Sequence, residues 1–394
     1  MGIKIRRGDG DKQQFHLKNI IFQDGYFCVS SDNEELKVIF NYTPRLPRET
    51  VFIDCEIYLL INPYLKAEND VFQVEINDRR LGWIFPITIL ESNSHNEAEN
   101  HHLQHYQFQA YKKLLEKEKE LPLENSPNSS GFRITDLYSE DTIILIWEKE
   151  KENTIDEFNI EDYLLALYNF GYYSLDKYPI GISIDRNIDR PLGKKIKLKK
   201  FNFSIHSDNF LRTLFIENGI HNESYITRFI LLYQIIEYTI TNHVNGKIKE
   251  SINTYLRGDM PRNDFIFDLR EINKESNAIN SIFEGITNPE VFIDECSAFF
   301  RSINYLPKKR DKAGFGDQLY SLRNMMVHNT RQCMRNTDGA KELVHLLEKI
   351  LVNFLLEKGN VLFDSLENNT KSKKIGIISR LFNVLTNIKK KLIF

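Results

Sequence analysis

Residues 320–335 read YSLRNMMVHNTRQCMR, and their spacing is helical. Run as one helix, the stretch sets Asn324 and His328 on one face at i,i+4. Leu322, Met325, Met326 and Cys333 then fall on the opposite, buried side. Arg323 lies to one side, with an arm long enough to swing its guanidinium toward His328. Arg331 and Arg335 follow the histidine at i+3 and i+7 and carry a basic stripe away from it. A guanidinium fork grips and neutralises a phosphate, while an imidazole moves a proton near neutral pH, so this set suits phosphodiester chemistry. Spacing alone is a weak signal. It leaves open a histidine hydrogen-bonded inside a bundle, with Arg323 capping or salt-bridged.

The 3–4 periodicity continues on both sides. Asn222–Leu256 is a long amphipathic pattern, and shorter helices are predicted at about 264–283 and 289–304. The motif helix follows at about 316–335, and Lys341–Lys358 is amphipathic again through Leu343, Leu347, Ile350 and Phe354. A basic loop, LPKKRDKAGFG, leads into the motif helix. Its Lys308, Lys309, Arg310 and Lys312, with Phe315, can track RNA phosphates, and a solvated loop explains them nearly as well. Glu237 stands within the apolar run ILLYQIIEYTI. A buried carboxylate needs a partner, and Arg323 is the natural one; a solvent-facing glutamate is the alternative. From Lys371 to Phe394 the chain carries seven cations and no acid, with an apolar stripe through Ile377, Ile378, Leu381, Leu385, Ile388 and Leu392. Such a tail can pack on another helix, touch RNA or lie on a membrane surface.

The first half reads differently. Phe15–Phe22, Tyr26–Ser30, Leu36–Tyr42, Val51–Ile61 and Val71–Ile76 are short runs rich in Ile, Val, Phe and Tyr, separated by turn residues. A second β group is expected at Leu81–Leu90, Phe132–Thr135 and Thr142–Lys149, around a helical insertion within Glu91–Glu124. Ile160–Tyr173, capped by Asn159, reads as a helix of a connecting layer, and Asp185–Lys200 as a polar, basic linker. The expected architecture is α+β and multidomain. Residues 1–150 form an antiparallel β-rich domain, sandwich- or barrel-like; 151–204 connect; 205–394 form an all-α bundle of about five helices with a basic tail. His95, His101, His102 and His105 crowd eleven residues, and His101 and His105 have a spacing able to hold zinc. Their polar surroundings and the absence of nearby cysteine favour a solvated loop, so no metal site is expected.

Charge separates the two halves. Residues 1–200 carry 26 Lys+Arg against 33 Asp+Glu, a balance of −7, and residues 201–394 carry 26 against 22, a balance of +4. The basic half is the one suited to a polyanion, and the acidic half would repel one. Four cysteines without CxxC pairing fit a reduced, cytoplasmic protein with structural thiols. The charged start is no signal peptide, and the longest apolar run, Phe229–Ile240, is too short and too interrupted for stable membrane insertion.

Arg323, the polar Asn324, three further residues, His328 and then Asn329, set among helices, resemble the signature of the HEPN superfamily of helical-bundle ribonucleases over about residues 205–360. The layout is similar to the ApeA-like branch of bacterial anti-phage proteins. That resemblance implies a metal-independent endoribonuclease without cofactor, working as a homodimer with two motifs facing each other. It implies His328 as proton carrier, Arg323 as stabiliser of phosphoryl charge, and Asn324 orienting His328 or the phosphate. Glu237 and Asn329 would support them, and Arg331, Arg335, Lys308, Lys309 and Arg310 would bind RNA. The products would carry 2′,3′-cyclic phosphate and 5′-OH ends. It further implies a role in phage defence by abortive infection, or as a toxin, with the β-rich domain meeting a phage-derived trigger or an antitoxin. A non-catalytic module binding RNA or protein is the rival expectation.

Overall fold

The computed structural model describes residues 3–6, 14–31, 37–47, 54–63, 70–95, 97–117, 119–122, 131–149, 158–175, 191, 193–201, 224–286, 289–305 and 314–371. The chain divides into two compact units, Met1–Ser224 and Tyr225–Phe394. The first is β-rich and the second helical, so the α+β class holds.

The first unit contains β1 (Ile3–Arg6), β2 (Gln14–Gln23), β3 (Tyr26–Ser31), β4 (Lys37–Asn41), β5 (Cys55–Ile61), β6 (Phe72–Ile76) and β7 (Arg79–Pro86). Helix α1 (His101–Glu116), β8 (Lys119–Pro122), β9 (Thr142–Glu148), α2 (Leu164–Asn169), β10 (Tyr173–Ser174) and β11 (Lys195–Leu198) follow. One sheet has the order β4-β3-β2-β1-β8, the other β10-β5-β9-β7-β6-β11. Two tight hairpins set the registers. Asp24 and Gly25 have φ of 53° and 87°, and Asn77 and Asp78 have 51° and 59°. Two consecutive left-handed residues make the turn whose twist matches paired strands, and Asn, Asp and Gly adopt it most easily.

Helix α1 is the centre of this unit. Its N-terminus is capped by the Asn100 side chain, which accepts from the backbone N–H of His102 and Leu103. It touches β2 of one sheet and β5, β7 and β9 of the other. Leu103, Ala110, Tyr111, Leu114 and Leu115 are wholly buried, in one core with Phe27 and Phe40 of the first sheet and Phe85, Ile144 and Ile146 of the second. The helix expected as an insertion is therefore the element on which both sheets close.

Other expectations change. The sheets are not purely antiparallel, because β1 pairs with β8 and β6 with β11 in parallel. The Lys/Glu run after α1, which reads as more helix, supplies β8. Phe132–Thr135 is not a strand: Phe132 makes a lone bridge to Phe40, and Ile134–Asp136 is a 3-10 turn. The expected connector, 151–204, is part of the first unit, since β10 extends the second sheet beside β5 and β11 beside β6. In β11, Ile196 and Leu198 are buried while Lys195 and Lys197 face solvent and pair with Glu75 and Asp78. A basic composition reads as linker, but period two is that of a half-buried strand. His95 is buried rather than solvated, and its Nδ1 accepts from the backbone of Glu97. Among the described residues no His, Cys, Asp or Glu group is placed to hold a metal ion.

The second unit contains α3 (Tyr225–Leu256), α4 (Arg262–Ile272), α5 (Glu275–Ile282), α6 (Pro289–Ser302), α7 (Phe315–His328), α8 (Thr330–Cys333) and α9 (Thr337–Lys371). The helix expected over 264–283 is two, because Asn273 turns its side chain onto the Leu269 carbonyl and ends α4. Helix α3 packs on α4, α5, α7 and α9, and α7 is flanked by α5 and α6. Phe283 joins Phe315 and Phe354 at one end of the bundle, with Phe292 on the other side of Phe315. Among the described residues no helix is long and apolar enough to cross a membrane. Lys308, Lys309, Arg310 and Lys312, and the tail from 372 onward, lie outside the described residues.

Arg228 of α3 and Glu348 of α9 form an ion pair with a closest N–O distance of 2.7 Å and side-chain exposures of 5% and 1%. A buried charge stripped of its partner is costly. Glu348→Ala should therefore lower unfolding stability by about 3–5 kcal/mol in urea melts, while the paired change Arg228→Met with Glu348→Leu should recover most of it.

Candidate functional site

Helix α7 carries the motif and is anchored at both ends. At its start, the Gly316 N–H donates to Asn280 Oδ1 of α5 at 2.7 Å, and a Cβ at this position would lie 2.3 Å from the Ser276 carbonyl oxygen. Only glycine allows that approach. Leu319, Leu322, Met325 and Met326 then bury completely, as their spacing demands. At its end, Asn329 leaves the helical region (φ −127°, ψ 37°) while its N–H still bonds the Met325 carbonyl at 2.8 Å.

That break corrects the single helix expected over 316–335. The chain restarts as α8, with Cys333 buried beneath the turn. Arg331 and Arg335 no longer continue the face of His328. Arg331 is exposed, whereas Arg335 donates to the Ile303 carbonyl just beyond α6, at 3.5 Å. Asn329 meets its neighbours through the backbone, as the residue that ends the helix on which His328 stands.

Arg323, Asn324 and His328 come together. Arg323 Nη1 lies 3.2 Å from Asn324 Oδ1 and 3.4 Å from His328 Nε2. A guanidinium only donates, so the contact is a hydrogen bond in the tautomer that carries the ring proton on Nδ1 and leaves Nε2 to accept. Across from α7, Glu237 Oε1 of α3 stands 3.9 Å from Arg323 Nη2. Glu237 is solvent-facing, not the buried carboxylate that its apolar run suggested, and it nevertheless pairs with Arg323. The imidazole of His328 is exposed, while the arginine side chain is 28% exposed.

Two residues were not foreseen. Tyr233, one turn before Glu237 on α3, is buried and lies under Arg323, with the guanidinium carbon 6.0 Å from the ring centroid. Its hydroxyl donates to Glu275 Oε1 at the start of α5, at 2.5 Å. Burial first, and then the Glu275 carboxylate, push the Tyr233 hydroxyl far above the ordinary phenol range. The i,i+4 relation of Tyr233 to Glu237 was the only hint in the sequence; Glu275 gave none.

Chemically, the surface offers a guanidinium beside an exposed imidazole. It can hold an oxyanion and take up a proton within one contact distance. Comparison with protein-family models, with curated proteins and with solved structures returned no match.

Two outcomes follow from how α7 and α8 are seated. Gly316→Ala would gain helix propensity, yet the forced clash with Ser276 should still destabilise the unit by about 1–3 kcal/mol in thermal melts. Burial pushes the Cys333 thiol up to about 11. Maleimide at pH 7.5 should therefore label the partly exposed Cys28 first, and Cys55, Cys296 and Cys333 only after denaturation, as read by peptide mass mapping.

Proposed function

We propose that this chain is a metal-independent endoribonuclease of the HEPN type, in which Arg323 and His328 carry the reaction on the helical unit. The observation behind the reading is the exposed His328 imidazole held 3.4 Å from a half-buried guanidinium on the same helix. His328 Nε2 withdraws the proton of a ribose 2′-OH, and the 2′-oxygen attacks the adjacent phosphorus. Arg323 meets the charge that grows on the phosphoryl oxygens, as fixed donors do best in a transition state. The P–O5′ bond breaks and the 5′-oxygen takes a proton, so the products end in 2′,3′-cyclic phosphate and 5′-OH. DNA, lacking the 2′-OH, is not a substrate.

An imidazole that begins as an acceptor serves as base and leaves the leaving-group proton to another group. A second copy facing the first across a two-fold axis supplies it from a His328 ring in the protonated, imidazolium form, so the working enzyme is a homodimer. Asn324 steadies the guanidinium, and the exposed Arg331 adds a phosphate contact. In this reading the β-rich unit regulates the nuclease in answer to a phage-derived trigger or an antitoxin, and cleavage arrests growth in phage defence.

The deciding assay is RNA cleavage by the purified full chain in EDTA with end-group analysis. His328→Ala and Arg323→Ala should each cut at least about 100-fold more slowly, with unchanged far-UV circular dichroism and melting temperature. A DNA oligonucleotide of the same sequence should stay intact. Equal cleavage by wild type and His328→Ala sinks the enzyme and leaves a module that holds RNA or protein without cutting.

A further inference from the structure

We infer that Tyr233 and Glu275 are positioning residues that hold the Arg323 guanidinium beside His328. The inference deepens the nuclease reading and takes its catalytic readout from it. The starting point is helix geometry. Residues five apart on an α-helix point about 140° away from each other, because each residue turns the helix by about 100°. Left alone, the arm of Arg323 would not lie over His328. Asn324, its neighbour on α7, accepts one N–H at 3.2 Å, and contacts outside α7 must bend the rest of the arm back and keep it there against its own rotational freedom.

The contacts that can do so come from two other helices. Glu237 of α3 pulls on Nη2, and it is 48% exposed, so water competes for it. Tyr233, also on α3, is only 3% exposed and presents its ring to the guanidinium carbon. The electron-rich face of a phenol attracts a cation, and more strongly where water is excluded. Glu275 then fixes the ring from its far edge. It takes the hydroxyl hydrogen at 2.5 Å, which locks the ring plane and leaves the phenol richer in electrons. Lys274, beside it in sequence, is engaged with Glu271 and does not draw Glu275 away. The hold on Arg323 thus runs from α5 through α3 to α7, and none of these groups touches His328 itself.

The test pairs structure with kinetics on the full chain, using Tyr233→Leu, Tyr233→Phe and Glu275→Gln. In crystals of Tyr233→Leu the Arg323 guanidinium should swing beyond about 5 Å from His328 Nε2, out of hydrogen-bond range, while the backbones of α3 and α7 superpose on wild type. Against an RNA oligonucleotide, Tyr233→Leu should lower kcat about 10- to 100-fold with KM changed less than about 2-fold, since the lost contact acts in the transition state. Tyr233→Phe and Glu275→Gln keep the ring or the fold almost unchanged and should lower kcat about 3- to 10-fold. Arg323 found in place in Tyr233→Leu, or wild-type kcat in both conservative variants, overturns the inference. If Tyr233→Leu does not fold, the crystal structures of the other two decide: an unmoved and equally ordered Arg323 in both counts against it. If wild type cuts no RNA, the nuclease reading falls on that result, and the crystallographic comparison still judges the positioning.

Discussion

Arg228 and Glu348 are two charges almost wholly withdrawn from water, and each needs the other. A charge in that setting cannot be turned to solvent by a small rotation, so the pair sets the rotation of α3 against α9. Nine residues along a helix amount to two and a half turns, which puts Glu237 on the side of α3 opposite Arg228. With Arg228 committed to α9, Tyr233 and Glu237 are carried toward α5 and α7. The surface chemistry at Arg323 is thus set by an ion pair on the far side of the same helix. Apolar contacts such as those of Phe229 and Ile236 stabilise this packing, but they tolerate sliding and rotation that a paired charge does not.

The ends of α7 impose the second constraint. Gly316 lets the helix start against α5 at a distance no other residue permits, and Asn329 stops it one residue past His328. His328, at the last helical position, is exposed, while Met325 and Met326, three and two residues earlier, are fully buried. The break removes Arg331 and Arg335 from the stripe that a continuous helix would have drawn.

Much of this was legible from residue order, and the failures share one cause. Periodicity marked α3, α7 and α9 because each buries a stripe that repeats at 3–4 residues, and Asp24-Gly25 marked a hairpin because it reports local backbone geometry. Strands β8 and β11 were missed because their reason to exist lies elsewhere in the chain: β8 is a strand by virtue of β1, some 115 positions earlier, and β11 by virtue of β6. The Lys/Glu composition of the one favours helix, and the lysines of the other suggest a linker; pairing overrides both. Arg323 and His328 could be found because they share a helix. Tyr233 and Glu275 could not, since a tyrosine in an apolar run reads as core until the arginine above it is known.

The tautomer gives the last step. With its proton on Nδ1, His328 turns its accepting nitrogen to Arg323, so ring and guanidinium form one unit in which the imidazole is exposed and the cation is the more buried member. An anionic oxygen arriving at Arg323 competes with the imidazole for the same N–H, and its arrival frees Nε2 when a proton acceptor is wanted. In the proposed reaction phosphate binding would therefore unmask the base. The carboxylate of Glu237 sets how easily this happens, since it balances the guanidinium charge before any substrate arrives. The same arrangement leaves one site short of a proton donor for the departing 5′-oxygen, because a histidine recruited as base carries no proton to give on that nitrogen until it has first taken one. In the proposed mechanism the donor is a second His328 in the imidazolium form on the facing copy, so base and acid are one residue in two protonation states.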